Sequence, residues 1–147
     1  MTWLICDKET WRPGDMAKIA SHKELTVWNN AMDAAMKIFE MTKSFPVEEK
    51  YSMVDQMRRS SRSVAANLAE AWRRRRYEAA FTAKLNDAEA EATEVQTWIE
   101  LAQRCGYIDQ ETATELDETY EHIIGQIVTM IRQPGKWTLD RRSGGER

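Results

Sequence analysis

Four sets of side chains in this sequence have types and spacing that could do chemistry. They are His22 with His122, Cys6 with Cys105, the serines Ser60, Ser61 and Ser63, and the arginines of residues 58–81, RRSSRSVAANLAEAWRRRRYEAAF. A di-iron site in a helical bundle needs paired Glu-x-x-His motifs and two further inward glutamates. Thr119 stands where the glutamate before His122 would have to be, and His22 falls in a helix cap, so neither a metal nor a cofactor is expected. The cysteines have no C-x-x-C spacing and no histidine nearby. They could form one disulfide, but a reducing cytoplasm suits them better. The serines have no adjacent histidine to activate them, and no glycine-rich loop is present to cradle phosphate. They are explained as small residues that let another helix come close. No catalytic residue and no small-molecule substrate follow, and the expectation is a protein that is not an enzyme.

The arginines remain. Between Ser52 and Arg76, seven arginines face only Asp55 and Glu70; between Asn86 and His122, eleven carboxylates face Arg104 alone. Net charge is −3, so any attraction to phosphate must be local. Within the bundle or across a subunit contact, the two surfaces could simply pair. Exposed pairs contribute only ~0.2–1 kcal/mol each, but they select orientation and partner.

Position divides the arginines. Arg58 sits on an apolar seam with Arg62 one turn on, and a guanidinium there needs a partner because breaking a buried pair costs roughly 3–5 kcal/mol. Asn67 and Glu70 lie near the same face and would join Arg58 in a structural polar network. Arg73, Arg74, Arg75 and Arg76 fall at a predicted turn, where side chains fan into solvent, and Tyr77 could stack on an unpaired base. With Arg59 and Arg62 these make the candidate nucleic-acid-binding set. A merely solvated turn is the alternative.

The elements that would hold these residues are helices. Six Gly and three Pro in 147 residues, with 42% hydrophobic residues, favour one helical domain. Residues 1–20 lack a period and read as an irregular extension, within which Met16 could be the biological start; the run Trp3–Cys6 is too short to be a signal peptide or membrane span. Ser21 with Glu24 reads as a capping box opening helix 1 (about 22–44), whose seam is Leu25, Trp28, Met32, Ala35, Phe39 and Thr42. Helix 2 (48–73) opens on Glu48 and Glu49 and reads Tyr51, Val54, Arg58, Ser61, Ala65, Leu68, Trp72. No Gly or Pro separates it from helix 3 (78–105), yet continuing its phase would bury Arg75, Asn86 and Glu89. The apolar seam restarts at Phe81 and runs Leu85, Ala88, Ala92, Val95, Ile99, Ala102, so the break belongs at Arg73–Glu78. Gly106 then reads as a C′ glycine and Asp109 as the N-cap of helix 4 (110–132), with seam Leu116, Tyr120, Ile123, Ile127 and Met130. Pro134-Gly135 ends it, and residues 134–147 read as a flexible C-terminal tail. Four such helices with short connections predict an all-α, up-and-down antiparallel four-helix bundle with crossings near about +20°.

Several of these stretches carry a resemblance: Leu25-Thr26-Val27-Trp28, Thr42–Pro46, Glu49–Ser52, the long motif Gln56–Ala71, and Cys105–Ile108. Over about residues 22 to 133 the chain resembles the four helix bundle protein family, also called 23S rRNA intervening-sequence proteins. The resemblance implies a ring-shaped homopentamer of antiparallel bundles. It also points to a structural relative, the accessory variability determinant of diversity-generating retroelements, a basic pentamer that binds a reverse transcriptase and nucleic acid. Ala71 stands where many members have Gly, and the helix 3 pattern from Ala83 to Glu91 differs, which marks a distinct subgroup. The expectation is a cytoplasmic, membrane-free, homo-oligomeric adaptor for RNA or a reverse transcriptase; the alternative is a protein-only scaffold.

Overall fold

The computed structural model describes residues 19–139. Met16, Cys6 and residues 140–147 lie outside that range. Among the described residues there is no strand. Four α-helices, α1 (Thr26–Thr42), α2 (Met53–Arg73), α3 (Glu78–Arg104) and α4 (Gln110–Arg132), form an all-α bundle. Each packs on the next in sequence and α4 returns to α1, so the helices run up and down around one core. No described helix is long and apolar enough to cross a membrane.

The start of α1 differs from the expected position at 22. Ser21 Oγ accepts from the Lys23 amide at 3.2 Å, and the Glu24 carboxylate accepts from the Ala20 amide at 2.7 Å. These caps close only a single 3-10 turn, His22–Glu24, because Leu25 is drawn into the core in an extended conformation with ψ 124°. Helix α1 begins after it.

The inward face of α1 is also rotated by one residue from the expected seam. Val27, Ala31, Ala34 and Ile38 are buried, whereas Met32 is 41% exposed and Trp28, Ala35 and Phe39 are half-buried on the shoulder toward α2. Small Ala31 and Ala34 let the helix sit closely on its neighbours, and the bulkier stripe is displaced outward.

Helix α2 likewise starts later than 48. Glu48 and Glu49 occupy a separate 3-10 turn, Val47–Glu49, from which the Glu49 carboxylate accepts from the Met53 amide at 3.2 Å. Tyr51 precedes the helix and is 86% exposed, not part of the seam. Beyond it Val54, Met57, Ser61, Val64, Ala65, Leu68 and Trp72 face the core.

The second half of the chain follows its apolar pattern closely. All seven seam residues of α3, from Phe81 to Ala102, are buried. Gly106, at φ 77°, ends α3: its amide donates to Gln103 and the Tyr107 amide donates to Ala102, both at 2.9 Å, closing a Schellman motif. Asp109 Oδ1 then accepts from the Thr112 amide at 2.7 Å and caps α4; hydrogen bonding from the Thr112 side chain first, and from its amide second, holds the carboxyl below the usual range. Tyr120, Ile123, Ile127 and Met130 complete the core from α4.

Past α4 the chain does not leave the fold at residue 134, contrary to the flexible tail expected there. Pro134–Lys136 forms a 3-10 turn against α3 and α4, and Trp137 packs on the core. The Leu139 amide then donates to the Arg75 carbonyl at 3.1 Å.

Leu68 and Ile99 are each 1% exposed. Replacing either by Ala leaves a cavity and should lower stability by about 2–5 kcal/mol, while Arg74→Ala should change it little. Denaturant melts check this, and a cost at Arg74 equal to that at Leu68 would contradict the placement of the α2–α3 turn.

Candidate nucleic-acid interface

The α2 arginines fall into separate environments along one helix. Arg58 turns back onto the end of α1. Its Nε donates to Thr42 Oγ1 at 2.9 Å, an Nη donates to the Phe39 carbonyl at 3.4 Å, and the guanidinium lies 4.7 Å from the Phe39 ring centroid. Its partners are thus a hydroxyl, a carbonyl and an aromatic face, with no carboxylate among them. Asn67 is half-buried, and its side chain makes no hydrogen bond among the described residues. Glu70 pairs across to Lys84 of α3 at 3.0 Å. The structure therefore does not gather Arg58, Asn67 and Glu70 into one network.

Arg59 bridges to α3. One Nη contacts Glu91 at 3.3 Å, and the other binds Glu94. Hydrogen bonds donated to Glu91, then to Glu94, hold the guanidinium charge more firmly than usual. Two acids share one arginine there: burial and the neighbouring Glu94 push the Glu91 carboxyl up despite the ion pair. This is the charge pairing between α2 and the acidic helices, realised within the bundle. Arg59 is placed as a strut between helices.

The turn is different. Arg73 and Arg74 are exposed, and neither has a carboxylate partner among the described residues. Arg75 points inward. Its guanidinium stacks 3.4 Å from the Trp72 ring centroid, and its Nε donates to the Trp72 carbonyl at 2.8 Å. Desolvation first, and repulsion from Arg73 second, lower its pKa. Positive charge is thus crowded at this turn enough to be felt by an arginine. Arg76 is exposed, and Tyr77, 61% exposed, precedes the first turn of α3.

A second feature lies along the side of the bundle. The outward stripe of α1 and the small residues of α2 leave an open apolar cleft of about 580 Å³. Trp28, Met32, Met36 and Phe39 form one wall, and Ala65, Ala66 and Ala69 the other. Arg62 edges it and has no ion pair among the described residues. A helix that is apolar on two faces carries more apolar surface than its own bundle covers. Spacing alone assigns these α1 residues to the core and so misses the cleft; the second stripe, at Val27, Ala31, Ala34 and Ile38, is the signal that could have found it.

On the far side, Glu100 of α3 and Asp117, Glu118 and Glu121 of α4 are exposed. Partial desolvation, then Glu121, Glu100 and Glu118, push the Asp117 carboxyl up. The bundle has one face with an unpaired cation beside an apolar cleft, and an opposite face with several carboxylates, of which Glu100 is paired with Arg104 at 3.0 Å.

The other chemical candidates are occupied by structure. Ser60 and Ser61 are buried, and their hydroxyls donate to the carbonyls of Gln56 at 2.8 Å and Arg58 at 3.1 Å within α2. Cys105 is a free, exposed thiol. No group of three metal-ligating side chains occurs among the described residues.

Residues 23–129 match the family model described as 23S rRNA-intervening sequence protein. The chain belongs to that family. A similar solved structure is the crystal structure, at 1.70 Å, of a protein with unknown function from the S23 ribosomal protein family of Bacteroides thetaiotaomicron VPI-5482. It is 31% identical, with TM-score 0.66, and the match covers 72% of this chain and 95% of that one. No curated protein sequence matches the chain. Neither description names a reaction. The 23S rRNA-intervening sequence family match includes the cleft and the arginine turn, and stops before the segment that packs against Arg75.

The geometry separates Arg75 from its neighbours. Arg75→Gln should cost about 1–2 kcal/mol by removing the stacking on Trp72 and one hydrogen bond, whereas Arg73→Gln should be silent in thermal melts. Equal melting temperatures for the two variants would contradict the inward role of Arg75.

Proposed function

We propose that this protein is a non-catalytic adaptor that binds RNA phosphates through its α2–α3 turn and works as a ring of copies, five by family resemblance. The observation that carries this reading is the division among the arginines of α2. Arg58 and Arg59 are engaged by other helices, while Arg73 and Arg74 face solvent beside a third guanidinium whose charge is already disfavoured. An anion at that turn would relieve the crowding. Phosphate contacts of this kind release counterions and need no base-specific geometry.

Self-association is supported by complementarity between opposite faces. The cleft with Arg62 lies on the α1–α2 side, and the crowded carboxylates around Asp117 lie on the α3–α4 side. Head-to-tail docking of a second copy covers the apolar wall and pairs those charges. Heterologous contacts of this type form a ring when the rotation between copies closes. Several turns on one ring make a weak patch multivalent.

Replacing Arg73 and Arg74 with Gln should weaken binding of single-stranded RNA and flatten its salt dependence, by about 0.7 in log–log slope for each phosphate no longer neutralised. Melting temperature and oligomeric state should not move. Unchanged RNA affinity would place any nucleic-acid site elsewhere, and absence of binding by the native protein would favour a protein-only scaffold.

Met32→Glu with Met36→Glu should convert the oligomer to a folded monomer, read by light scattering after gel filtration. A native monomer at micromolar concentration, or a double variant that still assembles, would rule the cleft out as the docking surface.

A further inference from the structure

We propose that the outer face of α4 centred on Gly125 is the surface of a second copy that seats in the apolar cleft, with Glu118 of that face meeting Arg62 at the cleft edge. This rests on the reading of the cleft as the self-association surface.

Gly125 draws attention to that face. Among the described glycines, Gly106 ends α3 at φ 77° and Gly135 lies in the 3-10 turn after α4, whereas Gly125 stands inside a helix. At about 100° per residue it lies opposite the buried Tyr120, Ile123 and Ile127, on the exposed side that also carries Glu118 and Glu121. Propensity selects the residue at such a position, and glycine is the poorest choice there after proline. A Cβ at Gly125 would meet no atom of the chain within 4 Å, so nothing inside the bundle asks for glycine. The close approach of another backbone does. One turn on, Thr129 folds its hydroxyl back onto the Gly125 carbonyl at 2.9 Å, which satisfies that group within the helix.

The cleft supplies the matching half. Its α2 wall is Ala65, Ala66 and Ala69, and the distance between two packed helices follows the size of the residues at their contact. Alanines on one side and glycine on the other allow the shortest approach, with Trp28 and Met32 left to cover the bared backbone. Charge sets the orientation. Arg62 edges the cleft without an ion pair among the described residues. Glu118 lies seven residues before Gly125, two turns along the same face, and is exposed with no ion pair among the described residues. Beside it, partial desolvation and then Glu121, Glu100 and Glu118 push the Asp117 carboxyl up, and an arriving guanidinium relieves that repulsion. The two halves occupy different parts of one chain, as a head-to-tail contact requires.

The test breaks each half separately in the full chain, read by light scattering after gel filtration and by thermal melts. Gly125→Leu places its side chain in open space and raises helix propensity, so it should melt no lower than the Met32/Met36 double variant. It should nonetheless raise the concentration needed for assembly by about a hundredfold. Mixed in equal amounts, these two variants should form a dimer, because each keeps the half that the other lacks. Arg62→Glu should weaken assembly, and Arg62→Glu with Glu118→Arg should restore it. If the Met32/Met36 variant is monomeric while Gly125→Leu assembles like the native chain, the cleft reading stands and the α4 face is overturned as its occupant. A mixture that stays as two monomers, or a reversed charge pair that fails to restore assembly, would also overturn the pairing of these surfaces. If the Met32/Met36 variant itself assembles like the native chain, the cleft reading fails and this inference with it.

Discussion

The bundle depends on where α2 stops. Nothing in the local composition forbids a continuous helix from Met53 to Arg104, and such a helix would rotate the Phe81–Ala102 seam away from the core. α2 ends at Arg73 with Arg74 as its C-cap; Arg75 then folds back onto Trp72, the last buried residue of α2, and the extended Tyr77 follows. The cation–π contact and the bond to the Trp72 carbonyl hold the reversal on the core side, and the Leu139 amide occupies the Arg75 carbonyl. Four consecutive arginines are therefore not a featureless charged loop. Arg75 packs on Trp72, while Arg73, Arg74 and Arg76 are exposed.

That division links stability to recognition. Along α2, Arg58 at Thr42 and Arg59 at Glu91 and Glu94 join helices, whereas Arg62 and the terminal Arg73 are exposed to solvent. The side of the same helix that carries Ala65, Ala66 and Ala69 stays thin, which leaves room for the cleft beneath Trp28 and Met32. One helix thus braces the core, floors an apolar cleft and ends in a cationic turn.

How much of this could be read from the sequence varied with how many apolar faces each helix carries. α3 has a single apolar stripe, and its seven buried residues followed from spacing alone. The break before Phe81 followed from the same phase argument, and the caps at Gly106 and Asp109 from residue type and position. α1 has two stripes one residue apart, and periodicity cannot say which of them faces the core and which a partner. The bulkier stripe of Trp28, Met32 and Phe39 suggested the core, whereas close helix packing favoured Ala31 and Ala34. The late starts of α1 and α2 reflect 3-10 turns that use the same capping residues as a helix would. At the candidate site, composition located the arginine cluster but could not tell Arg75 from Arg74, because that distinction rests on a tertiary contact with Trp72. Pro134-Gly135 ended the last helix as a breaker should, but Trp137 was the sign that the chain still had surface to bury.

The central claim is that an acidic protein carries a local, salt-sensitive site for RNA phosphates. Its most direct test is the nucleic acid that accompanies the native chain when it is expressed and washed at low salt. The predicted result is bound RNA, measurable by ultraviolet absorbance and ribonuclease sensitivity, that a high-salt wash releases while the oligomer stays intact. Protein that elutes free of nucleic acid at low salt, and takes up none when single-stranded RNA is added, would contradict it.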